Sequence, residues 1–202
     1  MKSFLVVIAV ALFLGMASAQ AAVIDFNTLG GANQDSFSSF SENGFTVAAT
    51  STGWEVGKLY GDPLPAIFCK GCAPGTLDVT GGAFSFSSFD LGESGGLTTV
   101  AFDYTVTGLL AGNTVFTQSG TSSASEGFTE VLSSNSSAVL DSLVISVDPS
   151  GFNQDANIDN IVLTPFATTV PEPLTFSIFS AGFLGAVVLK RRRAKTKKAF
   201  AV

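Results

Sequence analysis

Thr99-Val100-Ala101-Phe102-Asp103-Tyr104-Thr105-Val106-Thr107 is the stretch that decides the fold. Val100, Phe102, Tyr104 and Val106 share one parity, while Thr99, Ala101, Asp103, Thr105 and Thr107 hold the other with small or polar side chains. Successive side chains of a strand point to opposite faces, so the pattern predicts a strand with one face on a core and one in water. The same period of two recurs at Phe45, Val47 and Ala49, at Phe84 and Phe86, at Leu143, Ile145 and Val147, and at Ile161 and Leu163. Clusters of Gly, Asn and Ser between these runs supply turns. No stretch between them keeps a helical period for three turns. Short strands at roughly ten-residue spacing without helices predict an all-β fold, a single β-sandwich or jelly-roll domain of antiparallel sheets over a core about 10 Å thick. The Phe residues from Phe26 to Phe152 are expected to fill that core. The echo of Asn33-Gln34-Asp35 in Asn153-Gln154-Asp155 is too short to define a repeat, and Thr164-Pro165 marks the end of the domain, residues 22–165.

Both ends of the chain read as addresses rather than fold. Met1-Lys2 is a short positive start, Phe4 to Leu14 an apolar segment, and Ala17-Ser18-Ala19 a small-residue cleavage site, so residues 1–19 are expected to be a secretory signal peptide. Ala19-Gln20-Ala21 offers a second site. At the other end, residues 166–169 form a linker to Val170-Pro171-Glu172-Pro173, an uncharged apolar segment from Leu174 to Leu189, and a basic cluster at 190–198 that includes Arg191, Arg192 and Arg193. Sixteen helical residues at about 1.5 Å each reach roughly 24 Å, enough to insert as a transmembrane helix with Lys190 and its neighbours snorkelling to the interface. Gly182 and Gly185 allow another helix to approach closely. The positive charges beyond the segment place the last residues in the cytoplasm and everything upstream outside. A permanent tail anchor is the plain alternative, against which stands the rigid, extended Pro-Glu-Pro just outside the bilayer. The three-part terminus resembles the PEP-CTERM sorting signal. That resemblance implies processing near Pro171-Glu172-Pro173 by an exosortase of exopolysaccharide-producing Gram-negative bacteria, after export through the Sec translocon. The protein would be membrane-held by its helix until cleavage, then released to the cell surface or extracellular matrix in association with exopolysaccharide and biofilm.

Charge and composition exclude several functions. The chain has ten Lys and Arg and sixteen Asp and Glu. Between Ala22 and Thr169 only Lys58 and Lys70 remain against fifteen acidic residues, a net charge of −13. Such a surface gains nothing from counterion release, so nucleic acid is not an expected partner. There is no His, which removes Ser-His-Asp and Cys-His chemistry and the His-bearing metal sites. Carboxylate pairs suited to glycosidic chemistry are available, but nothing selects one, and no phosphate or dinucleotide loop is present. No catalytic residue is assigned, and the protein is expected not to be an enzyme.

Three constellations remain. Cys69-Lys70-Gly71-Cys72 holds both cysteines of the chain, an expected structural disulfide in an oxidising compartment, with a redox or metal pair as the sharper alternative. Asp155, Asn157 and Asp159 place oxygen-bearing side chains on every second residue, an arrangement that can gather a hard cation. The segment Ile158-Asp159-Asn160-Ile161 resembles the last strand of carbohydrate-binding-type jelly rolls, and that resemblance implies a structural calcium shared with Asp25 of the first strand. Trp54 and Tyr60, with Glu55 nearby, form a Gly-flanked stretch that could stack on a sugar and hold its hydroxyls.

The sequence therefore describes an exported, non-catalytic surface or matrix protein, with a calcium-stabilised carbohydrate-binding module as the alternative for the passenger and a glycan-active enzyme as the minor one. Intact mass spectrometry of the protein recovered from the host surface and medium should show a species starting near Gln20 or Ala22 and ending close to Pro171. A mass that keeps Lys190 to Val202 in a membrane fraction would instead make the protein tail-anchored.

Overall fold

The computed structural model describes residues 20–59, 61, 63–93, 100–123, 127–149 and 154–166. The expected signal peptide, the expected linker from 167 onward and the whole of the expected sorting signal lie outside the described residues. Within those bounds the chain forms eleven antiparallel strands and no helix: β1 (Ala22–Ile24), β2 (Ser39–Glu42), β3 (Phe45–Ala49), β4 (Trp54–Gly57), β5 (Ala66–Lys70), β6 (Gly75–Glu93), β7 (Asp103–Leu110), β8 (Asn113–Thr121), β9 (Gly127–Leu132), β10 (Leu140–Asp148) and β11 (Asp155–Pro165).

The pairing divides into two layers that share β6. Its first half lies between β3 and β10, with Val79 opposite both Val47 and Leu143. Beyond β10 the order continues to β7 and β8, and β2 flanks β3. Its second half lies between β11 and β9, with Leu91 opposite both Ile158 and Thr129. Beyond β11 come β5 and β4, and β1 pairs with the far part of β11. Short strands in separate sheets are what the sequence pattern predicts; instead one strand of 19 residues belongs to both layers, and all eleven join in one continuous sheet. The chain changes partners around Gly81-Gly82, where small residues let a strand turn the corner.

Alternation builds one core between the layers. Leu143, Ile145 and Val147 of β10, Val79 and Phe84 of β6, and Ile158, Ile161 and Leu163 of β11 are fully buried in the same cluster. The rings of Phe89 and Tyr104, from opposite layers, meet edge to face at 6.2 Å, and Phe45 meets Phe84 likewise at 5.3 Å. Each such pair contributes about 0.5–1.5 kcal/mol beyond its area. Of the deciding stretch, Phe102 and Val106 are buried and Tyr104 is half-buried, but Val100 lies before β7 and is exposed. Phe152 lies outside the described residues.

Two hairpins use left-handed pairs. Asn43 (φ 51°) and Gly44 (φ 84°) join β2 to β3, and Ala111 (φ 51°) and Gly112 (φ 75°) join β7 to β8. Positive φ at both central residues gives the turn whose twist matches that of the strands. Cys69 and Cys72 are disulfide-bonded with Cα atoms 5.8 Å apart, closing the connection from β5 to β6.

The two adjacent glycines at the corner of β6 should behave differently. A Cβ at Gly81 would sit 2.5 Å from Cδ1 of Phe45, whereas a Cβ at Gly82 meets nothing. Gly81→Ala should cost about 1–3 kcal/mol in urea denaturation. Gly82→Ala should be neutral or stabilising by up to about 1 kcal/mol.

Candidate functional site

Of the sugar platform expected from Trp54, Glu55 and Tyr60, the Trp is turned inward. Trp54 is only 2% exposed and faces the core, opposite Cys69 across the β4–β5 pair. Glu55, one residue on, necessarily faces the other side of the layer, opposite Phe68. A Trp on a strand with core parity cannot also stack on a ligand at the surface, so Trp54 is a packing residue. Tyr60 lies outside the described residues.

Three of the four candidate calcium residues share a strand, but the structure does not gather the four into a site. Asp155, Asn157 and Asp159 fall on one parity of β11, on the face away from the core, and β1 does pair with β11, Ile24 opposite Ile161. The Asp25 carboxylate, however, accepts the Asn27 N–H at 3.0 Å, closing a local turn. Asp159 is fully buried, and its Oδ1 accepts the Asn160 N–H at 2.8 Å. Asn160 (φ 47°) sits at the irregularity in the β11–β6 register and donates from Nδ2 to Asp90 Oδ2 at 2.9 Å. Asn157 Oδ1 is buried without a partner, as is Oε2 of Glu55, and both residues are in register with Phe68 on that outer face. Among the described residues no group of three or more acidic, His or Cys side chains is placed to share a cation.

The structure places an open cleft elsewhere. A cavity of about 210 Å³ lies where the layers part, lined by Leu91 of β6, Tyr104 of β7, Thr121 to Ser123 at the end of β8, and Thr129 to Leu132 of β9. Its walls are tied together by backbone and amide bonds. Gln118 donates from Nε2 to the Leu132 carbonyl at 3.0 Å and accepts the Ser134 N–H at 2.6 Å, joining β8 to the end of β9. Phe102 and Ser122 exchange bonds of 2.9 Å and 2.8 Å.

Tyr104 has its ring fixed at both ends. It packs edge-on to Phe89 and lies over Gly120, its cross-strand partner, where any Cβ would meet the ring at 2.6 Å from Cζ. Thr121 donates its hydroxyl to Asp103 Oδ1 at 3.0 Å. Glu130 lines the cleft, is exposed, and is the cross-strand partner of Asp90. The cleft thus offers an aromatic ring, Leu91 and Val131 as apolar walls and hydroxyl-bearing residues at its rim, while Glu130, opposite in parity to Val131, turns its carboxylate to the outer face with Asp90. Its volume falls below the ~300–1,000 Å³ of a drug-sized pocket and suits a single small ring. Tyr104 was legible in the sequence only as a core position of its strand; the hydroxyl run Thr121-Ser122-Ser123 was the signal for the rest, and it acquires meaning only beside β9.

No protein-family model matches the chain, and no curated protein matches it. Among solved structures it is similar to the family 32 carbohydrate-binding module of NanJ from C. perfringens in complex with galactose, at 18% identity and a TM-score of 0.44, over 62% of this chain and 98% of that one. It is also similar to a family 29 carbohydrate-binding module from Piromyces equi, at 12% identity and 0.43, over 80% and 99%. A third is the family 11 module from Clostridium thermocellum in complex with a mixed-linked tetrasaccharide, at 14% identity and 0.36, over 74% and 98%. Similarity at this level carries no functional assignment.

Trp54 is the one Trp of the chain and therefore a clean reporter. Its fluorescence should be blue-shifted and resistant to acrylamide in the folded protein, and it should stay unchanged when saccharide is added. Strong quenching of the native protein would return Trp54 to the surface.

Proposed function

We propose that this chain is an exported, non-catalytic saccharide-binding protein whose ligand sits in the cleft between β7, β8 and β9. The observation that carries the reading is the fixed Tyr104 ring in an open cleft lined also by Leu91, Ser122, Thr129 and Val131. A sugar ring has an apolar C–H face and an equatorial girdle of hydroxyls. Tyr104 supplies the stacking surface, and hydroxyl oxygens at the rim supply the partners that keep displaced sugar hydroxyls hydrogen-bonded. Because the walls are held by the Gln118 and Ser122 bonds, little ordering is required on binding.

The sorting reading joins this one as a proposal supported by the sequence. A Pro-Glu-Pro, an apolar segment and a basic stop would deliver the domain outside the cell, where polysaccharide is the abundant ligand. The competing reading of the passenger is a matrix protein that acts by self-association.

Tyr104→Ala should weaken saccharide binding about tenfold or more in isothermal titration while the protein remains folded by circular dichroism. Trp54→Phe should leave affinity unchanged. Concentration-dependent self-association with no saturable saccharide binding would favour the matrix protein instead.

A further inference from the structure

Among the described residues β8 is the long strand edge that carries no guard, and we propose that it pairs two copies of the chain, β8 antiparallel to β8 about a two-fold axis at Ser119. β8 is bonded to β7 on one side, and among the described residues no backbone group meets its other side. Such an edge is a template for another strand, and proteins usually blunt it with charge, proline, short length or a bulge. From Asn113 to Thr121 there is no charged residue and no proline, and Thr117, Ser119 and Thr121 are exposed. The one irregularity falls at Val115, against the step from Gly108 to Leu109, and leaves residues 116–121 regular. Other edges are guarded: β9 carries Glu130, β2 is four residues long and ends in Glu42, and β4 is covered by the backbone bonds of Gln34 and Phe37.

The register follows from the ladder already present. The Ser122 N–H donates to the Phe102 carbonyl at 2.8 Å, one step beyond the pair of Asp103 and Thr121. Opposite residues of an antiparallel pair alternate between bonded and unbonded, so Gly120, Gln118 and Phe116 also turn their N–H and C=O toward β7. Those of Thr117, Ser119 and Thr121 therefore point out of the sheet. The hydroxyls of Thr105 and Ser119 lie 3.1 Å apart, as the closer side chains of an unbonded pair allow. With the axis at Ser119, that residue meets its own copy and Thr117 meets Thr121 of the second copy, each pair exchanging two backbone bonds. Charge fixes the occupant. Between Ala22 and Thr169 the net charge is −13, so two copies repel wherever carboxylates lie, and along β8 they meet with no charge on either strand. About five residues a side, against the ~20–30 of a stable interface, make the pairing reversible and concentration-dependent.

The test uses the full-length chain in detergent with one added cysteine, both native cysteines being disulfide-bonded. Ser119→Cys should give a disulfide-linked dimer on mild oxidation, because the two copies of that residue face each other with Cα atoms about 5.5 Å apart. Thr117→Cys should not, since its own copy lies roughly 14 Å away. In amide hydrogen exchange Gln118 and Gly120 should be protected at every concentration, while Thr117, Ser119 and Thr121 gain protection only as concentration rises. Ser119→Pro removes an N–H that β7 does not use, which an edge strand tolerates, and should weaken the association about tenfold or more while Gln118 and Gly120 stay protected. Ser119→Lys, which sets two like charges on the axis, should act in the same way and replaces the proline variant if that one fails to fold. Cross-linking at residue 117 equal to that at 119, no cross-link and no gain of protection at high concentration, or a gain that survives these variants would overturn the pairing. Protection of the three amides at every concentration would also overturn it, by giving the edge to another segment or partner.

Discussion

β6 is the constraint on which the rest of the structure depends. A single strand that pairs with β3 and β10 along its first half and with β11 and β9 along its second is hydrogen-bonded into both layers. Because backbone ladders must be satisfied on each side, the two layers cannot slide or separate without breaking one strand. Their facing surfaces are thereby held over a common core, and Phe84 and Phe86, just past the corner, are fully buried in it. The corner itself needs residues without side chains, since Gly81 is crossed by the Phe45 ring.

From that geometry comes the contrast between the two edges of the molecule. Where β4 and β5 lie, both faces of the second layer are covered: Ile67 and Phe68, of opposite parity, are both buried, and so are Asn157 and Asp159 on the outer face of β11. Oxygens there are occupied by neighbouring amides or enclosed without a partner, which costs about 1–3 kcal/mol for each unmet acceptor. Where β8 and β9 lie, each layer ends in a lightly covered edge strand, and the gap between them stays open enough for a small ligand. The densest set of oxygen side chains along the sequence is thus spent on structure, while the open cleft lies among residues that look ordinary.

The disulfide belongs to the structural edge too. Cys69 faces the core opposite Trp54, and Gly75 lies against both sulfur atoms, so the clip holds the start of β6 in the register that the whole sheet inherits. A loop this short limits only a small part of the unfolded ensemble, and its stabilisation is at the low end of the range, roughly 2 kcal/mol. Its greater effect is positional.

Much of the fold was legible from period two alone, because alternation is a local property: Phe45 and Val47, Phe84 and Phe86, Leu143 to Val147, and Ile161 with Leu163 all sit on the core side as their parity requires. Charge was legible in the same way, since the scarcity of cations in the domain needs no coordinates to count. The parity of Trp54 and Glu55 was equally local, yet which side of β4 meets the core depends on β5, β11 and the opposite layer. The cleft was not legible at all, for Tyr104, Ser122 and Val131 are brought together by β6 carrying β9 into one layer while β10 carries β7 and β8 into the other. By itself the sequence determined an acidic, His-free, all-β domain between two expected sorting signals, because composition and alternation are properties of neighbours along the chain. Only the tertiary structure decided which aromatic faces the open cleft, because that depends on where two layers end, and the end of a layer is set by pairing between residues far apart in sequence.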